Sequence, residues 1–172
     1  MIKRLTNWGF TRDGWRSGNR GEYLVLIQGL LLIGFIFLPT YPAPGTNLEL
    51  TKVIYLFWGS AALFNIIGLI FIVKGLLDLG KNLTPLPYPK EDGKLVQTGV
   101  YSIVRHPLYS GLIFLTFGWS IFQISLSHLV AVVVIFLFLN LKARREEFWL
   151  SEKYPDYSDY QQRVKKLIPR IY

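Results

Sequence analysis

The sequence predicts an all-α fold, a polytopic membrane helical bundle of about four transmembrane helices, on three observations. First, 51% of the 172 residues are hydrophobic, the mean hydropathy is +0.32, and the apolar residues come in blocks. Second, four blocks, at 23–41, 53–73, 108–125 and 129–141, approach the roughly 20 residues that cross a bilayer core of about 30 Å. Pro39 interrupts the first, and the fourth is short unless its helix continues past Lys142. Third, of 19 Lys and Arg only Lys52 falls on the far side of these spans. That is the positive-inside pattern, and four spans then leave both termini cytoplasmic. A multi-pass integral-membrane location follows, with plasma membrane and endomembrane equally open.

The formal net charge of +8 therefore reads as topology and attraction to anionic membrane lipids. No basic soluble face for nucleic acid is visible. Cysteine is absent, which excludes disulfides, thiolate chemistry and cysteine-ligated metals. His106 and His128 fall on opposite sides of the membrane, so no metal site is expected. The N-terminus has no apolar core before residue 23 and no cleavage pattern, and is expected to be retained.

Residues 1–22 are basic and carry Trp8 and Trp15, as suits an interfacial lead-in. The proline-rich connection around 37–50 is expected to be an ordinary external loop. In the second span, Asn65 and the small residues Gly59, Ser60, Ala61, Ala62 and Gly68 suit helix–helix packing. The segment 74–107 is long for a helix connection. Prolines in LTPLPYP impose extended backbone and EDG a turn, while Leu95, Val96, Val100, Tyr101, Ile103 and Val104 imply that the segment is packed.

Pro107 is expected to open the third span, since proline is favoured at the first helical position. The free N–H groups of that helix start, with Arg105 and His106 beside them, make an anion site. The tripeptide alone leaves open a basic juxtamembrane residue beside a proline-started helix. The fourth span continues through KARREEFWL without proline or glycine, one helix over about 129–150. The arms 107–124 and 129–146 are equal, on the order of 27 Å each. Residues 106 and 146 therefore return to one depth, and Arg105 and His106 should face the 142–147 turn. Glu146 and Glu147 then form an acidic pole opposite the cationic one, a pocket suited to a zwitterion with an apolar body. In the tail, Tyr154, Tyr157, Tyr160, Val164 and Leu167 recur at helical spacing past Pro155. They predict an amphipathic element at the membrane surface with Lys165 and Lys166 toward headgroups, most of the tyrosines being interface anchors. His128 is expected to be a plain polar loop residue.

LVQTGVYSIVRHPLYSG followed by EEFWLSEKYPDYSDYQQRV resembles the isoprenylcysteine carboxyl methyltransferase family, which groups with the phospholipid methyltransferases. The matching positions are Leu95-Val96, Gly99, Tyr101, Arg105-His106-Pro107, Tyr109, Gly111, Glu146-Glu147, Leu150 and Tyr157/Tyr160. The likeness runs roughly over residues 80–170. It implies an enzyme that binds S-adenosyl-L-methionine on a cytoplasmic C-terminal hairpin. Lys94, Leu95, Val96, Tyr101, His106, Pro107, Leu108 and Tyr109 would surround the cofactor, with Glu146 holding a polar group. Residues 76–172 would be the cofactor-binding core, and 1–75 the basic segment and first two spans. The family's basic residue one turn before the first glutamate falls on Lys142, a lysine in place of arginine, as the group meeting the acceptor's negative charge. Positioning would carry the chemistry, with Arg105 the one candidate catalytic side chain. A lipophilic or lipidated acceptor would arrive from the bilayer. An isoprenylcysteine carboxylate is the first choice, and a phospholipid amine, a thiol or an isoprenoid are alternatives. Two further readings stand beside it: a sterol-type reductase using NADPH, which shares a similar hairpin and tail, and a non-catalytic membrane scaffold.

Overall fold

Each of the four apolar blocks contains a helix in the computed structural model, which describes residues 12–42 and 53–172. The helices are α1 (Arg12–Ser17), α2 (Glu22–Ile36), α3 (Val53–Leu79), α4 (Pro107–Phe122), α5 (Leu126–Lys153) and α6 (Tyr157–Arg163), with 3-10 turns at Gly80–Asn82 and Gly99–Ser102. Among the described residues there is no strand, only isolated bridges at Pro42–Ser125 and Val104–Lys165. The readings placed on Trp8, the Trp15 side chain, Lys52 and most of the external loop lie outside what is described.

The helix ends follow local chemistry. α2 stops at Ile36 because Pro39 cannot continue a helix and restricts the residue before it. α4 starts at Pro107 as its sequence requires. α5 begins ahead of the expected residue 129 because Ser125 caps it, its Oγ accepting the His128 N–H at 3.4 Å. His128 is therefore not a loop residue. It is buried in the first turn, with Nδ1 2.8 Å from Ser125 Oγ and its ring edge-on to Phe35 at 5.0 Å. On the same side of the molecule, Leu126 N–H donates to Tyr41 O and Ser127 Oγ to Pro39 O, which ties the exit of α2 to the start of α5.

Glycines let α3 and α4 approach closely. A Cβ on Gly68 would lie 2.9 Å from Gly111 O, and one on Gly118 would lie 2.9 Å from Asn65 Cγ. Asn65 thus sits in the interface, the small-residue packing that membrane helices use. Phe35, Ile113, Val132, Ile135, Leu139 and Leu167 form one core from α2, α4, α5 and the tail, and Phe71, Val100 and Val104 form a second.

Val53–Asn82 and Leu126–Lys153 are long and apolar enough to cross a membrane, while α2 and α4 are apolar but shorter. The membrane character rests also on surface. Leu30, Leu56, Ile66, Val130 and Leu137 are each more than half exposed. An apolar band of that kind is stable against lipid and unstable against water.

Candidate functional site

The 80–106 segment is packed, as its apolar residues imply, and polar anchors hold it. Asn82 Oδ1 accepts the Lys94 N–H at 2.9 Å. From the end of α5, Lys153 Nζ donates to Lys90 O and to Glu91 O, and Tyr154 Oη donates to Gly93 O at 2.7 Å. Asp78, in the last turn of α3, accepts the Val100 N–H at 2.8 Å. That carboxylate lies where a side chain on Gly99 would project, and Gly99 has φ +61°. Only glycine suits both demands.

Glu147 gathers the motif. Arg105 Nε donates to Glu147 Oε1 at 2.8 Å, its Nη2 lies 2.7 Å from the same oxygen, and His106 Nε2 lies 3.2 Å from it. Arg105 Nη1 donates to Gln161 O and Val164 O. The main chain of Arg105 and His106 donates to Lys165 O and Lys166 O. This corrects the expectation of two separated poles: Glu147 crosses to the cationic side, and the charges meet. It also corrects the tail. Tyr157 and Tyr160 are buried rather than interface anchors, and Lys166 faces Asn140 and Glu147 rather than headgroups. Helical spacing identifies an apolar face but not whether lipid or protein covers it.

Glu146 stays at the acidic end alone. Its Oε2 accepts from Tyr109 Oη at 2.7 Å and lies 3.7 Å from His106 Nδ1. The His106 and Tyr109 rings stack, with centroids 5.3 Å apart and planes 6° from parallel. Residues 106 and 146 do meet, although the arms are not equal as expected, because α4 ends at Phe122 and α5 starts at Leu126.

A cavity of about 420 Å³ opens beside this cluster, within the range of small-molecule sites. Lys94, Leu95, Val96, Tyr101, Arg105, His106, Pro107, Leu108, Tyr109, Lys142 and Glu146 all border it. Several wall residues were not singled out from the sequence as site residues. Tyr154, Tyr157 and Tyr160 come from the tail, Leu86 from the proline-rich loop, Leu76 from α3, and Val25 and Gln28 from α2. Gln28 carried one signal, as the polar residue in the otherwise apolar run LVLIQGLLLI.

Lys142 is 2% exposed. Its Nζ donates to Gln28 Oε1 at 2.6 Å and lies 5.2 Å from the centroid of the Tyr109 ring. The phenols at the floor are held neutral. Burial, with Glu146 next in effect, pushes Tyr101 well above the usual tyrosine range. Burial and Glu147 do the same to Tyr157, and burial to Tyr160 despite Arg105. Tyr160 Oη donates to Tyr101 O at 2.6 Å, while Tyr157 Oη is buried in the wall without a partner. Such an orphan donor is a group that a ligand can satisfy.

A family model described as phospholipid methyltransferase matches residues 56–157. Protein-S-isoprenylcysteine O-methyltransferase B of Arabidopsis thaliana is 32% identical over 110 residues, 62% of this chain and 56% of that protein. Methanethiol S-methyltransferase of Pseudomonas deceptionensis is 32% identical over 126 residues, 71% of this chain and 45% of that protein. The solved structure of a eukaryotic intramembrane Ras methyltransferase, an isoprenylcysteine carboxyl methyltransferase, is similar with a TM-score of 0.63 and 27% identity, over 87% of this chain and 52% of that one. The chain thus spans about half the length of these relatives.

Proposed function

The chain belongs to the phospholipid methyltransferase family, and from that premise we propose that it is an integral-membrane methyltransferase that uses S-adenosyl-L-methionine on a lipophilic acceptor, an isoprenylcysteine-like carboxylate first among them. The observation that carries the reading is that both halves of the motif, Lys94 to Val96, Tyr101 and Arg105 to Tyr109 on one side and Glu146 on the other, border one cavity.

The residues present fit the cofactor. The volume suits it, the partnerless Tyr157 hydroxyl is a free donor, Glu146 is a carboxylate in reach of an amine, and Tyr101 in the cavity wall offers a ring to a flat base. The start of α4 at Leu108 and Tyr109 presents N–H groups to a carboxylate. S-adenosyl-L-methionine supplies, when bound, a methyl group on a sulfonium that is already an activated electrophile. The chain's own task is then to bind, orient and exclude water. His106 holds the edge of Glu146 and the ring of Tyr109 in register. Arg105, with its donors turned to Glu147 and the tail carbonyls, acts as a positioning residue that bolts loop, α5 and tail together. Lys142 draws the acceptor's anionic group to the side of the cavity shared with Gln28. A carboxylate acceptor needs no general base.

In this reading α2, α3, α4 and α5 all cross the bilayer, both termini are cytoplasmic, and the α4–α5 pair is the cofactor-binding hairpin of a 76–172 core. The 1–75 segment supplies the wall of α2, and the acceptor arrives through lipid. A second reading, a small thiol acceptor, is supported by the likeness to methanethiol S-methyltransferase over 71% of this chain. Purified chain in phosphatidylcholine nanodiscs, given methyl-labelled S-adenosyl-L-methionine with N-acetyl-S-farnesylcysteine or methanethiol, tests both. Label in a base-labile ester supports the carboxylate, and label in a thioether supports the thiol. Absence of label from every lipophilic acceptor, with NADPH bound instead, would overturn the methyltransferase reading.

A further inference from the structure

The buried ammonium of Lys142 has an amide for a partner, contributed by a helix that lies outside the residues matched by the family model. α2 is EYLVLIQGLLLIGFI. Placing a glutamine in the middle of an apolar helix is unfavourable unless its amide is satisfied, so Gln28 is tied to what it meets. An ammonium has three donors and no acceptor, and an amide has an oxygen acceptor and an NH2 with two donors. Only the amide oxygen can face Nζ, which agrees with the 2.6 Å contact to Oε1. That fixes the orientation of the group, with its oxygen on the ammonium and its NH2 not spent on the lysine. Gln28 and Lys142 border the same cavity. Its amide partner is neutral, so Gln28 does not cancel the charge of the ammonium. At low dielectric a cation whose direct partner is neutral favours an anion and repels another cation.

We propose that Gln28 is a specificity-determining residue for the acceptor: it holds Lys142 in place and adds its own NH2, so that two donors from two helices form a composite fork for a carboxylate. The inference rests on the carboxylate reading above and deepens it. Lysine is a point donor without the planar fork of arginine; an amide set beside it restores the second, directed hydrogen bond. The same pair disfavours a protonated amine placed directly against Lys142.

The test uses the full chain in phosphatidylcholine nanodiscs, wild type, Gln28→Leu and Gln28→Glu, with S-adenosyl-L-homocysteine affinity reporting an intact cofactor site. Acceptor binding is measured by calorimetry for N-acetyl-S-farnesylcysteine and for its neutral carboxamide, alongside KM and kcat for the carboxylate. In wild type the carboxylate binds about tenfold or more tightly than the carboxamide, the step expected of one charge-assisted hydrogen bond. Gln28→Leu raises KM about tenfold with kcat moved less, the pattern of lost uniform binding. Gln28→Glu neutralises the ammonium and removes the preference for carboxylate over carboxamide. Equal binding of the two ligands by wild type overturns the proposal without recourse to any variant. Transfer to the carboxylate with KM and preference unchanged in both variants overturns the role of Gln28 while leaving the proposed function standing. Transfer only to a thiol overturns both.

Discussion

Glu147 and Arg105, 42 residues apart in sequence, are joined by a buried ion pair with Nη2 2.7 Å and Nε 2.8 Å from one carboxylate oxygen. The pair fastens the loop ahead of α4 to the far helix, and the same guanidinium holds the tail through Gln161 O and Val164 O. Breaking one side of a pair this buried strands the other charge. Arg105→Ala is expected to destabilise the protein by about 3–5 kcal/mol, read as a large fall in the thermal midpoint in detergent. If its midpoint equals that of wild type while methyl transfer is lost, Arg105 acts on the reacting groups and not on the fold.

Two tyrosines one helical turn apart should separate. Tyr160 Oη donates to Tyr101 O, so Tyr160→Phe should lower stability by about 1 kcal/mol. Tyr157 Oη is buried without a partner, so Tyr157→Phe should leave the ligand-free protein as stable as before or more so. Its effect should appear in weaker S-adenosyl-L-homocysteine binding. Thermal midpoints with and without that ligand would show it, and a ligand-induced shift identical to wild type would remove Tyr157 from the site.

Gly99 makes a turn that no other residue fits. Gly99→Ala places a methyl group against the Asp78 carboxylate and strains a positive φ, at about 1–3 kcal/mol. The Val100 N–H bond to Asp78 should be lost with it. Amide exchange at Val100 should rise in the variant; unchanged protection would mean that the turn tolerates a side chain.

The buried phenols set an alkaline limit. Tyr101, Tyr157 and Tyr160 are pushed above the ordinary value of about 10, burial being the largest cause. Above pH 10 the unfolded chain loses these protons while the folded one keeps them. Their contribution is therefore complete below pH 10 and is lost as pH rises toward the raised values. The thermal midpoint should fall from about pH 10 upward, and Tyr157→Phe should flatten that fall. A slope identical in the variant would contradict it.

Much of this arrangement was legible in the sequence where one residue type has one use. Pro107 marks a helix start because proline lacks an N–H, and α4 begins there. Glu146 meets His106 as the hairpin count expects, although α5 starts at Leu126 and leaves the two arms unequal. Charge was harder. The two-pole pocket assumed that neighbouring glutamates act together, yet side chains at i and i+1 point apart on a helix, so Glu147 went to Arg105 and Glu146 to the cavity. Tyr157 and Tyr160 are buried against expectation because spacing does not tell a protein neighbour from lipid or water, and His128 because the Ser125 cap starts α5 ahead of it. Gln28 went unread because its partner lies 114 residues away, a distance that no local pattern spans.

Binding of S-adenosyl-L-homocysteine, measured by calorimetry on detergent-purified wild type, His106→Ala and Glu146→Ala, tests the central claim most directly. Binding by wild type, with loss of about tenfold or more in both folded variants, is the predicted result. A well-folded wild type that binds none, or variants that bind as it does, would contradict the assignment of this cavity.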